Sequence, residues 1–302
     1  MNRRLIRLVL TAIGGAAISI ASSAAGQHTN NSSPQQAGYL AEQPVRARHG
    51  MVVTVHHLAS DAGVEVLQAG GNAVDAAVAT GFALAVVHPI AGNLGGGGFL
   101  LLRTHDGRST FIDFREKAPL AATEAMYQDA QGKLIPKASV LGYRSIATPG
   151  SVAGLAYAER KYGHLGLKRV MAPAIRLAAK GFELTAEEAE ELTDADLASY
   201  PDSKRIFQRD GRHYKAGEVF IQTQLARTLE RIAADPDDFY HGKMAQELVN
   251  ALTKGGSLLT LEDLKQYTVV ERKPVTGSFH NFTILSAPPP SSGGIVLLSA
   301  LN

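Results

Sequence analysis

The sequence predicts an α+β or layered α/β protein, and three observations carry that prediction. Runs of β-branched and aromatic residues stand near both ends, at Met51 to Val55 and again from Val269 to Ser286. Capped helical segments fill the interval between them, an order that suits helices layered on a sheet. Between the first run and those helices lies the densest stretch, Gly70 to Arg115, which reads as a helix apolar on every side, a four-glycine turn and a hairpin.

In chain order, Arg3, Arg4 and Arg7 precede an apolar run from Leu8 to Ile20 and the small residues Ser23-Ala24-Ala25. This is the pattern of an export signal over residues 1–25. The apolar run contains Gly14-Gly15 and is too short for a stable membrane span. Residues 26–44, rich in Gln, Asn, Ser and Ala, read as a disordered leader, so the folded part is expected over 45–302. Val45 to Val55 is expected as the first strand. His56-His57 then lead into a helix from Ala59 to Ala69 closed by Gly70-Gly71. No HExxH or other ligand spacing accompanies the two histidines, so a polar surface or helix-starting role is expected and no metal.

Asn72 can cap the next helix, Ala73 to Val87, whose single charge is Asp75. A helix apolar all round is buried on all sides. Pro89 stops it, and Gly95 to Gly98 follow. Successive glycines in a compact domain mean either backbone conformations closed to other residues or a second segment passing within contact distance. Phe99 to Leu102 read as a buried strand, Asp106-Gly107 as a hairpin turn, and Ser109 to Phe114 as the return strand that delivers Arg115 at its end.

Beyond the hairpin, Ala121 to Met126 is expected as a short helix and Asp129 to Gly132 as an exposed turn. Ser151 is placed to cap a helix ending at Gly163. Leu167 to Ala179 is a helix closed by Gly181. Thr185 with Glu188 forms a capping box before an acidic helix running to about Ala198, whose acids read as a solvated face. Helices follow over Gln222 to Ala234, Lys243 to Lys254 and Leu261 to Gln266, then strands over Val269-Val270, Val275 to Phe279 and Phe282 to Ser286. Ser291 to Gly294 open an apolar helix from Ile295 that is only two turns old at Asn302, which leads us to expect a fragment of a longer protein.

Composition narrows the function. The formal charge is +2, and three of the 30 basic residues are Arg3, Arg4 and Arg7, so the remainder, set against 28 acids, is close to neutral and offers no nucleic-acid surface. There are no cysteines, which excludes disulfides, thiol catalysis and zinc-thiolate sites. Neither a P-loop nor GxGxxG is found in the glycine turn, and no GxSxG elbow supplies a serine nucleophile. Arg115 is the candidate binding residue, because its planar fork can meet both oxygens of a carboxylate and it lies where a strand meets a loop. An ion pair with Asp113 on the same strand face, or with Glu116, is the structural alternative.

GGNAVDAAVA at 70–79, HPIAGNLGGGGF at 88–99 and DFREKAP at 113–119 resemble the large-subunit region of the gamma-glutamyltranspeptidases, or glutathione hydrolases. TPGSVAGL at 148–155, LTLEDLKQY at 259–267 and PPPSSGG at 288–294 extend the resemblance over roughly residue 45 to the last residue. It implies a layered αββα N-terminal-nucleophile hydrolase sandwich, incomplete in this chain, made from large and small subunits by self-cleavage of one precursor. It also implies that Arg115 grips the α-carboxylate of glutathione or another γ-glutamyl compound, and that no cofactor or metal takes part. The nucleophilic threonine would begin the small subunit, beyond Asn302, leaving no catalytic residue here and an inactive chain. Ser291-Ser292-Gly293-Gly294 match a large-subunit motif and are expected as a tight turn near the site. A periplasmic or secreted location follows from the signal. A non-catalytic secreted fragment with a glutamate-binding remnant, and an acylase of the same superfamily, are the alternatives.

Overall fold

The computed structural model describes residues 45–301. The signal expected over 1–25 and the leader expected over 26–44 lie outside the described residues. The chain divides into residues 1–47 and 48–302, and the architecture below is that of the second unit.

Two helices form the centre. Helix α1 (His57–Gln68) starts at His56, whose Nδ1 accepts the Leu58 N–H at 3.2 Å. The helix-starting role therefore holds, but His56 is buried, with its imidazole against the Glu188 carboxylate, and is no surface residue. Helix α2 (Ala73–Val87) has the bounds and the cap that the sequence predicts. Asn72 Oδ1 accepts the N–H groups of Val74 and Asp75, and Asp75 reaches back to the Asn72 N–H. Helices α1, α3 (Ser151–Tyr162) and α4 (Ala172–Lys180) all pack on α2. Small residues make this possible: a Cβ on Gly63 would run into Thr80 and Val52, and one on Gly81 into Leu155. At its far end, the buried Gln222 amide donates to the Val86 carbonyl at 2.7 Å, satisfying one of the carbonyls that a helix end leaves open.

Strands β1 (Phe99–Arg103), β2 (Ser109–Asp113) and β3 (Val270–Arg272) form an antiparallel sheet in the order β1-β2-β3. Ile112 and Phe114 point into the helical core, whereas β1 is an edge strand. Its expected full burial is corrected: Phe99 and Leu101 are 36% and 43% exposed, because they lie on the edge strand, whereas Phe111, opposite Leu101 on the central strand, is buried. Helices α5 (Thr223–Ala234) and α6 (Lys243–Lys254) carry apolar stripes with Ala226, Leu229, Ile232 and Val249 inward. The hairpin of β4 (Val275–Phe279) and β5 (Phe282–Ser286) has the expected bounds, and α7 (Gly293–Leu301) packs on it.

Several expectations are corrected by contacts that local patterns do not encode. Residues 51–54 form no strand and pair with none among the described residues, so the expected first strand is absent; Val53 and Val55 stand largely exposed. Residues 121–126 form turns closed by bonds such as Met126 N–H to Thr123 O, with no helix. The helix expected from Leu167 breaks into Leu167–Val170 and α4, where Pro173 lacks the N–H that continuity needs. The acidic helix breaks into Ala186–Glu191 and Ala195–Ala198, because Thr193 bonds back to the Glu190 carbonyl and Asp194 caps a new turn. Ser151 is the first residue of α3 and not its cap. Its N–H, and that of Gly150, donate instead to the Gly96 carbonyl at 3.0 and 2.7 Å.

Candidate functional site

The site grows out of that last contact, where the glycine turn, the end of β2 and the start of α3 meet. Gly98 and Phe114 exchange both backbone hydrogen bonds, at 3.2 and 3.0 Å, which carries the β1–β2 ladder one pair past β2. Of the two reasons expected for the glycines, close approach is the one realised. Gly95 to Gly98 have no positive φ, but a Cβ on Gly97 would sit 2.6 Å from the Phe114 carbonyl oxygen and 2.7 Å from the Glu116 nitrogen. Gly150 and Gly154 face Phe114 in the same way from the other side.

Arg115 leaves this packed corner with its peptide held at both ends. Its N–H donates to Asp113 Oδ1 at 3.1 Å, and its carbonyl accepts the Tyr267 hydroxyl at 3.0 Å. Tyr267 stacks on Tyr240 at 5.7 Å, and the Tyr240 hydroxyl donates to the Pro149 carbonyl at 3.0 Å. Burial pushes both phenols well above the ordinary tyrosine range, and nearby Tyr240, Asp113 and Glu116 push Tyr267 further, so each stays a neutral donor. Beyond Arg115, Lys117 pairs with Thr148 through both backbone groups and lays its ammonium 5.0 Å from the Tyr267 ring centre.

The guanidinium of Arg115 is exposed and has no hydrogen-bond or ion-pair partner among the described residues. The structural alternative read from the sequence, an ion pair with Asp113 or Glu116, is not formed. Arg272 takes Asp113 instead, Nε to Oδ2 at 2.9 Å, from β3. The register explains this: Asp113 stands opposite Val270, which makes Arg272 its diagonal neighbour across the strands. Arg115 is left free at the wall of a cleft of about 560 Å³, lined also by Asn93, Gly96, Glu116, Tyr127 and Ser145. A larger, mostly apolar hollow of about 990 Å³ lies between residues 49–55 and α2 and includes Glu116 in its wall, but not Arg115. The free cation, backbone polar groups and hydroxyls of the smaller cleft suit a small zwitterion; the larger hollow does not.

The profile of the family described as Gamma-glutamyltranspeptidase matches residues 59–302. The chain belongs to the gamma-glutamyltranspeptidase family. A glutathione hydrolase proenzyme of a Pseudomonas species is 48% identical over 265 residues, covering 86% of this chain and 46% of that protein. The Escherichia coli glutathione hydrolase proenzyme is 46% identical over 263 residues, covering 86% and 45%. Among solved structures, the Helicobacter pylori gamma-glutamyltranspeptidase superposes with a TM-score of 0.83 at 44% identity, covering 86% of this chain and 75% of that one. The mixed α/β fold is thus that of the family's N-terminal-nucleophile hydrolases. The chain spans about half the length of the curated relatives it matches, whose proenzyme names imply a precursor processed into two subunits.

Arg115 is the one site residue singled out from sequence, and it lies in the DFREKAP segment, within the residues that the family profile matches. Ser291 and Ser292 do not line its cleft. Their turn precedes α7, where Gly294 packs against Val275 and Ala287. Sequence reasoning missed Tyr267, Tyr240 and Arg272. Tyr267 closes the LTLEDLKQY motif, a usable signal; Arg272 lies in no motif, and only strand register brings it to Asp113.

Proposed function

We propose that this chain is the donor-recognition part of an exported γ-glutamyltransferase or glutathione hydrolase, with Arg115 holding the α-carboxylate of the γ-glutamyl group. The observation that carries the reading is the free guanidinium in the cleft, fixed through its own backbone beside the glycine turn. Two charge-assisted hydrogen bonds from one planar fork would orient the donor so that its γ-amide carbonyl lies at a defined distance from the carboxylate. The nucleophile is assigned to a small-subunit threonine, in the part of the relatives' length that this chain does not span. That threonine would take the γ-glutamyl group as an ester and pass it to water or to an amino acid.

Ser145, whose hydroxyl lines the Arg115 cleft, donates it to the Gly142 carbonyl at 2.8 Å, and the assigned nucleophile is not in this chain, so the chain by itself is expected to show no turnover of a γ-glutamyl anilide. In the processed two-subunit enzyme, Arg115→Ala is expected to raise the donor KM about 100-fold, the scale of roughly 3 kcal/mol for hydrogen bonds between charged groups. An unchanged donor KM would sink the reading. Periplasmic or secreted residence is part of the proposal; among the described residues no helix is long and apolar enough to cross a membrane. The mass of the mature N-terminus, set against cleavage near residue 25, tests the export signal.

A further inference from the structure

Asp113 presents a puzzle that the proposed function does not answer. Its side chain is 8% exposed, it sits two residues before Arg115 at the end of β2, and yet it does not pair with it. Residues i and i+2 of a strand lie only about 7 Å apart, well within the reach of an arginine. A buried carboxylate next to an exposed guanidinium would ordinarily capture it. Here each carboxylate oxygen already has a donor, and one of them is a cation: Oδ1 accepts the Arg115 N–H at 3.1 Å, and Oδ2 accepts Nε of Arg272 at 2.9 Å. Arg272 comes from β3, so it neutralises the Asp113 charge from the far side of β2. Tyr267 holds the other end of the Arg115 peptide through the carbonyl. The backbone is thereby fixed while the guanidinium stays unclaimed.

We propose that Arg272 is a positioning residue that acts as a decoy cation, occupying Asp113 so that Arg115 remains free for the donor's α-carboxylate, while Asp113 and Tyr267 clamp the Arg115 peptide. The inference rests on the donor-binding role of Arg115 proposed above. Without the decoy, Asp113 becomes an internal competitor for the guanidinium. The donor must then displace it, which weakens binding in ground state and transition state alike and raises KM without lowering kcat.

The test uses the processed two-subunit enzyme with a γ-glutamyl anilide as donor. Arg272→Met is expected to raise the donor KM about ten-fold, the loss of one charge-assisted hydrogen bond, with kcat changed by no more than about two-fold. Arg272→Lys, which keeps a cation, is expected to stay near the wild type. The decisive variant is Arg272→Met combined with Asp113→Asn. It removes the competing charge together with the decoy, and it is expected to bring KM most of the way back. A merely structural role predicts the opposite, since the double variant loses one more native contact. If the double variant is no better than Arg272→Met, or if Arg272→Met raises KM equally in an Arg115→Ala background, the decoy role is overturned. Should Arg272→Met fail to accumulate as processed enzyme, Arg272→Gln carries the same comparison, since it keeps an N–H for Asp113 without the charge. Failure of the underlying reading looks different: Arg115→Ala would itself leave the donor KM unchanged.

Discussion

Asp75 and Arg115 stand near opposite ends of the same stretch of sequence, and the structure treats them in opposite ways. Asp75 is fully buried, and its two oxygens accept the N–H groups of Asn72, His164 and Leu165, which fasten the α3–α4 connection to the start of α2. Burial alone would raise its carboxyl, but the N–H groups of Leu165, Asn72 and His164 outweigh it and hold it below the usual range. Arg115 has its peptide fixed just as firmly, but its charge points into a cleft with no partner among the described residues. A charge saturated by backbone is part of the fold. A charge whose backbone alone is saturated is available for a ligand.

Four variants break or sharpen that contrast. Asp75→Ala should have the largest effect on stability, a loss of ~3 kcal/mol or more in urea unfolding, because it strands several buried N–H groups. Gly150→Ala touches the other region. Its Cβ would meet the Phe114 carbonyl and the Tyr267 hydroxyl, so the protein should lose ~2 kcal/mol of stability through overpacking, and in the processed enzyme the donor KM should rise as well. Asp75→Ala should not raise it.

Glu159 gives a smaller effect that depends on pH. It is buried, its Oε1 accepts the Gly166 N–H at 2.8 Å, and burial together with the neighbouring Asp75 charge raises its carboxyl from 4.5 to about 7. Between those values the unfolded chain gives up a proton that the folded protein keeps, so this group makes stability fall as pH rises from 4.5 to 7 and adds no further change above that. Glu159→Gln, which cannot ionise, should remove that decline and be more stable than the wild type at pH 8 by ~1–2 kcal/mol. Thermal melts of both proteins at pH 5 and pH 8 check it; an identical pH response in the two would contradict the assignment. Last, Arg115→Ala should change stability by no more than ~0.5 kcal/mol, as expected for an exposed side chain without partners. A large loss in the same urea experiment would mean that Arg115 belongs to the fold after all.

Much of this was legible beforehand, and the exceptions share a cause. The Asn72 cap, the Thr185 capping box, the bounds of α2 and the β4–β5 hairpin all follow the predicted pattern. Each rests on bonds between residues close in sequence, or on an apolar periodicity. Arg115 could be placed at a strand end for the same reason. Its freedom could not be read, because Asp113 two residues away was the obvious partner. Residues 51–54 have the β-branched composition of a strand, but composition cannot supply the neighbour that a strand needs, and Leu101 could not be recognised as an edge residue without the sheet order.

The sequence by itself determined where helices and hairpins start and stop, which family the motifs belong to, and that Arg115 ends a strand beside a glycine turn. Those features depend on hydrogen bonds and side-chain periods within a few residues. Only the tertiary structure decided which charges are spent and which remain available. The Asp113–Arg272 pair spans 159 residues of sequence and the Tyr267–Arg115 bond spans 152. Such pairs form only when sheet register and helix packing bring distant segments within hydrogen-bonding distance.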